Sequence, residues 1–321
     1  MNILIVRTDK LGDFITALPT LNALKKHNPQ NKIIVLVSPL NKELASTCSF
    51  IDEVIIDEPN SSVYELFQKL KDANIDVSIT LFSNTRVAFA QFLARIKIRI
   101  APATKIAQIF YNKRIKQRRS EVKMAEFEYN LELAKVLFSN INVKYQTPLL
   151  RFDDTNTMYQ KFCADNGIEK EVVAFHVGFG GSSDANWNLN EYEILIREVL
   201  HVNKYQVVLS FGPDEKELKE EMQKRLKDTN IVFYLSNEGI VNFAKLISNF
   251  KLFVSTSTGT YHLASLVGTP TLTFFGDSKF ASSARWKSVG DEKLQKHYML
   301  PLDEKKRKKI FEEVKKELST F

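Results

Sequence analysis

Two cysteines in 321 residues, Cys48 and Cys163, exclude a disulfide scaffold, and neither has a nearby His or Cys with which to share a metal. That usage fits a reducing, cytoplasmic setting. Glycine and proline are scarce as well, at 11 and 9, and no low-complexity tract interrupts a chain that is 44% apolar. The chain therefore reads as globular throughout, with length for two cores at roughly 150 residues per domain. No apolar run approaches the roughly 20 residues that span a bilayer. No charged segment precedes an apolar stretch at the N-terminus, so no secretory leader is expected. Soluble or peripheral at a membrane is the expectation.

Acids are missing from one region. Between Asn84 and Lys123 there are eleven Lys or Arg against the single acid Glu121, within a net charge of +7. Ile106, Ile109, Phe110 and Tyr111 are interleaved with them. A basic segment with apolar residues suits a membrane surface or a phosphorylated acceptor. A solvated loop would have the same composition. No nucleic-acid-binding motif accompanies it, so nucleic acid is not expected as a partner.

What is present starts with residues 1–25, MNILIVRTDKLGDFITALPTLNALK. Asn2 to Val6 reads as a buried strand, Arg7 to Gly12 as a polar turn, and Asp13 as the opening of a helix with apolar residues at Phe14, Ala17, Leu18, Leu21 and Leu24. Gly12 would take a turn conformation that a Cβ penalises. Asp13 has two compatible readings, a helix N-cap and a carboxylate placed to accept a proton from a substrate hydroxyl. Arg7, Asp9 and Lys10 would support the turn or meet the acceptor.

Strand and helix patterns alternate from there. Strands are expected at 32–38, 54–57, 76–82 and 96–101, and helices at 41–48, 63–71, 85–95 and 121–138. The pattern restarts after 148–154 with a helix at 155–166, strands at 172–177, 206–211, 231–235, 252–256 and 271–275, and a helix at 192–202. A charged helix at 303–318 has a stripe of Ile310, Phe311, Val314 and Leu318, expected to dock across the first domain. The fold class is α/β, with two Rossmann-like domains over 1–150 and 151–302 and a C-terminal helix over 303–321.

Loops at strand ends carry the candidate chemistry. His176 to Trp187 (HVGFGGSSDANW) contains Gly180, Gly181 and Ser182, suited to close approach by a phosphate, but it fits neither the P-loop nor the dinucleotide fingerprint. In Phe211 to Glu215 (FGPDE), Asp214 reads as a helix cap or a ribose ligand. Val254 to Pro270 (VSTSTGTYHLASLVGTP) runs a strand into a small-residue helix from about Thr258. Ser257, Thr258, Gly259 and Thr260 then make an anion site at a helix start, with His262 one turn in. No metal cluster is apparent.

Taken in order, RTDKLGD, GGSSDANW, FGPDE, STSTGTYHLA and the following GTP and FFGD resemble glycosyltransferase family 9, the lipopolysaccharide heptosyltransferase family. The likeness covers nearly the whole chain. It implies the GT-B architecture, two domains facing each other across a cleft, with the C-terminal helix returning towards the first. It implies an inverting, metal-independent transfer of heptose or a related sugar from a nucleotide-diphosphate donor, ADP-linked in the family, to a lipopolysaccharide core or similar acceptor, with no further cofactor. Asp13 would be the general base; Gly180 to Ser182 and Thr258 to Thr260 would hold the diphosphate and Asp214 the nucleoside. A phosphorylated, lipid-linked oligosaccharide and the cytoplasmic face of the inner membrane would be the partners, met by Arg114, Lys116, Arg118 and Arg119. The chain departs from the family at Ala185, often Lys, and at Ser257, often Asp. Two other readings use the same residues: a GT-B-like sugar-nucleotide epimerase, and a non-enzymatic nucleotide- or polyanion-binding protein.

Overall fold

The computed structural model describes residues 1–178 and 186–321. They form two units, Met1–Gln146 and Thr147–Phe321. Each is built on a six-stranded sheet in which every strand pairs in parallel with its neighbours.

The first unit runs β1 (Asn2–Arg7), α1 (Leu11–His27), β2 (Lys32–Val37), α2 (Lys42–Thr47), β3 (Glu53–Ile56), α3 (Val63–Asp72), β4 (Val77–Thr80), α4 (Thr85–Leu93), β5 (Ile98–Pro102), β6 (Lys113–Ile115) and α5 (Glu126–Leu137). The central strands are apolar runs because both faces are covered: Ile3 to Val6 and Ile33 to Val37 are all fully buried. Strand order is β3-β2-β1-β4-β5-β6. The order reverses between β1 and β4, and ligands bind at such a reversal, outside the carboxyl ends of the strands. The turn after β1 sits there.

The second unit runs α6 (Thr155–Asp165), β7 (Val172–His176), α7 (Leu189–Val202), β8 (Gln206–Phe211), α8 (Lys216–Arg225), β9 (Val232–Leu235), α9 (Ile240–Ile247), β10 (Leu252–Thr256), α10 (Gly259–Leu266), β11 (Thr271–Gly276), α11 (Ser283–Trp286), β12 (Gln295–Leu300) and α12 (Glu304–Thr320). Its order, β12-β11-β10-β7-β8-β9, reverses between β10 and β7. The loops after those two strands carry the glycine-rich and Thr-Gly-Thr motifs.

Three elements differ from the sequence reading. Lys113–Ile115, in the basic segment that composition would allow as loop, joins the first sheet as edge strand β6. Gln295–Leu300 is a half-buried edge strand whose polar residues hide it from a hydrophobicity pattern. The stripe of α12, expected to dock across the first domain, finds its partners inside the second: Val314 and Leu318 join that unit's core, Phe311 lies 5.2 Å from Trp187, and the Arg307 guanidinium stands 4.5 Å over the same indole. The apolar face of α7 beside Trp187 supplies the cover that the stripe requires.

Candidate active site

Arg7 ends β1, and its guanidinium is 1% exposed. It donates from Nε to Asp9 (2.8 Å), from Nη2 to Asp13, and from Nη1 to Glu126 (3.4 Å). One planar fork thus holds three carboxylates, a geometry open to Arg and not to Lys. Burial alone would lower the Arg7 pKa, but the charges of Asp9, Asp13 and Glu126 outweigh it and raise it. Burial lifts Asp9 to about 6, against the pull of Arg7 and with the push of Asp13.

Asp13 is not the cap of α1. Lys10 holds that position in extended backbone, and Asp13 is the third helical residue, in the first turn where a negative charge complements the dipole. Gly12 is helical and buried, so the expected glycine-only turn conformation is not used. The Asp13 side chain stays 20% exposed beside a buried partner. It is therefore held and still reachable.

Asp9 is fixed from its backbone side, its carbonyl accepting from Asn41 Nδ2 (3.0 Å) and Ser38 Oγ (3.3 Å). From the other side α5 braces the group. Glu126, 3% exposed, accepts from both Arg7 and Arg119, and Asn130 Nδ2 donates to Thr16 carbonyl oxygen at 3.1 Å. Arg119 also donates to Gln117 and Asn130. Arg119, expected to meet acceptor phosphates, is thus built into the Asp13 network, and Arg118 is paired with Glu121. Glu126, Asn130 and Asn41 were not read from the sequence. A buried Glu in EFEYNLEL looks like its exposed neighbours until the fold places Arg7 beside it.

In the second unit, Gly180, Gly181 and Ser182 lie outside the described residues, as does Ala185. Thr258 is the N-cap of α10, and no side chain caps the helix. Its hydroxyl instead lies 2.9 Å from that of Thr260. The first N–H groups of α10, from Gly259 onward, therefore remain available to an anion, with two hydroxyls and the helix dipole beside them. Ser257 precedes them, its N–H bound to the Phe274 carbonyl at 2.9 Å.

His262 is 3% exposed, and its Nδ1 has no hydrogen-bond partner among the described residues. Burial, then the nearby His297, lowers its pKa to about 3. It faces the site as a neutral imidazole and cannot attract an anion by charge. His297 is lowered to about 4 by burial, with Glu292 opposing and Lys287 adding to it. Both folded values lie below the ordinary 6.5. The stability they contribute is therefore complete above pH 6.5 and lost as pH falls towards their folded values. Urea midpoints followed from pH 7 to pH 4 are expected to fall, at up to about 1.4 kcal/mol per pH unit for each group fully linked. His297→Gln is expected to flatten that slope.

Asp214 is exposed in the turn after β8. It helps line a pocket of about 710 Å³ with Gly178, Trp187, Gly212, Pro213 and Glu215. Glu215 is the residue that orders this pocket. Its Oε2 accepts from Gly212 N–H at 2.7 Å and lies 3.8 Å from His176 Nε2. A Cβ at Gly178 would fall 1.8 Å from Glu215 Oε1, so glycine there leaves room for the carboxylate. His176 Nδ1 is bound to Ser210 at 3.0 Å, and burial lowers its pKa against the opposing charge of Glu215. Neither residue was singled out from sequence.

Comparison with known proteins agrees with this arrangement. Residues 63–315 match the model of "Glycosyltransferase family 9 (heptosyltransferase)". A Haemophilus influenzae protein named as a glycosyltransferase is 37% identical over 305 residues, 92% of this chain and 87% of that one. A Campylobacter jejuni lipooligosaccharide heptosyltransferase 2 is 25% identical, with 87% of this chain and 82% of that one covered. Among solved structures, the Escherichia coli ADP-heptose lipopolysaccharide heptosyltransferase II matches with a TM-score of 0.79 at 18% identity, covering 99% of both chains. An Escherichia coli heptosyltransferase solved with ADP matches at 0.69 and 20% identity, covering 98% of this chain and 100% of that one.

Proposed function

The chain belongs to glycosyltransferase family 9, and on that premise we propose that it transfers a heptose or related sugar from an ADP-linked donor to a phosphorylated, lipid-linked glycan. The transfer is a single displacement with inversion and needs no metal. The acceptor oxygen attacks the anomeric carbon, its proton passes to Asp13, and the bond from that carbon to the diphosphate breaks.

The observation that carries this reading is the setting of Asp13. It is an exposed-edged carboxylate at the strand reversal, oriented by a buried guanidinium. A general base in that position contributes about 10²–10⁴ in rate. The charge that develops on the leaving diphosphate would be met by the uncapped start of α10 and the Thr258 and Thr260 hydroxyls. The pocket formed by Asp214 and Glu215 would take the nucleoside, its carboxylates accepting from ribose hydroxyls. The donor assignment rests on this pocket together with the ADP-heptose named for the matching heptosyltransferase II. Direct titration with nucleoside diphosphates tests it, with ADP expected to be selected whether or not magnesium is present.

A further inference from the structure

The first unit carries apolar surface that its own core does not need. Ile106 is 72% exposed, Ile109 65% and Phe92 48%, with Leu93 and Phe89 also exposed. They form one ridge. The turn Ile106–Phe110 packs on α4, with the Phe110 ring 5.2 Å from Phe89 and 5.9 Å from Phe92. Beneath them, Ala88, Ala101, Ala107 and Tyr111 close a small core of their own. Large side chains left outside such a core mark an interaction surface.

The surrounding charge says what kind. Arg95 and Lys97 follow α4, Lys105 precedes the turn, and Lys113, Arg114 and Lys116 lie on and beside edge strand β6; all six are exposed. Among the described residues none of the six has a carboxylate within ion-pair distance. By contrast, Arg86, Arg118, Arg119 and Lys123 are each paired with an acid. A protruding apolar ridge with unpaired cations around it is complementary to an anionic bilayer, where rings and aliphatic chains enter the acyl boundary and the cations meet headgroup phosphates. The ridge also adjoins the catalytic end of the sheet. Lys105 Nζ stands 4.3 Å over the Phe82 ring, and the Arg7 guanidinium stands 5.9 Å from the same ring.

We propose that α4 and the Ile106–Phe110 turn seat this protein on an anionic lipid surface, bringing the Arg7–Asp13 end of the first unit to a membrane-embedded acceptor. This rests on the lipid-linked acceptor proposed above. The test is cosedimentation of the full chain with phosphatidylcholine vesicles, with and without phosphatidylglycerol, alongside ADP calorimetry. Wild type is expected to pellet only with the anionic vesicles. The triple variant F92S/I106S/I109S is expected to bind them about tenfold more weakly, and K113E/R114E/K116E to lose them. All of these positions are exposed or on the edge strand, and unchanged ADP binding and melting temperature report an intact fold.

Wild type that stays in the supernatant with anionic vesicles, or a triple-serine variant that binds like wild type, overturns the proposal. So does concentration-dependent self-association abolished by the triple-serine variant, which would make the ridge a contact between copies. Vesicle binding lost while ADP still binds fails this proposal alone. Vesicle binding kept while no nucleotide binds fails the donor reading instead.

Discussion

Asp13→Asn is expected to lower turnover by about 10²–10⁴-fold while leaving affinity for ADP within about twofold. Asparagine keeps the size of the side chain and an oxygen that can accept from Arg7 Nη2, so the first turn of α1 should survive. What it lacks is the capacity to take up the acceptor's proton. Nucleotide affinity should be retained because the α10 start and the Asp214 pocket belong to the second unit, whereas Asp13 belongs to the first. Single-turnover kinetics beside calorimetry separate the two effects. A variant with wild-type turnover would remove Asp13 from the mechanism. One that lost ADP binding in parallel would make it a donor ligand.

The second large effect concerns stability. Arg7→Met is expected to destabilise the first unit by about 3–5 kcal/mol, because Glu126, 3% exposed, would lose one of its two guanidinium partners and Asp9 its only printed side-chain cation. Urea unfolding followed by circular dichroism measures the loss. The double variant Arg7→Met/Glu126→Met should recover most of it, since removing both members of a buried pair costs far less than stranding one. Activity should not return with stability, because Asp13 would have lost the group that orients it. A double variant no more stable than Arg7→Met would show that the network is not what holds α1 to α5.

Much of this was legible in the sequence because it is local. The run Ile3 to Val6 gives β1 by its apolar residues alone, and the helical spacing behind it gives α1. The loops at the strand ends follow from that alternation, and the parallel order then brings two of them to each reversal. Asp13's position was misjudged by three residues because Leu11 and Gly12 fit a helix as readily as a turn, and only the extended backbone of Lys10 marks the boundary. Glu126 was illegible for another reason: its partner Arg7 is 119 positions away, and no pattern within α5 announces a carboxylate that faces inward. Arg119 misled for the same cause, since composition counts a cation without saying what it is paired with. The stripe on α12 was visible, but a stripe names a need for cover and not the surface that meets it. Trp187 and α7 supply it here.

The central claim is that a second unit built for an ADP-linked donor serves a base in the first. Its most direct test is isothermal titration of the purified full chain with ADP, GDP, UDP and CDP, each in EDTA and again in magnesium. The account predicts that ADP binds, at least tenfold more tightly than the other three, with the same affinity in both buffers. Selection of a different nucleoside diphosphate, or binding that appears only with magnesium, would contradict it.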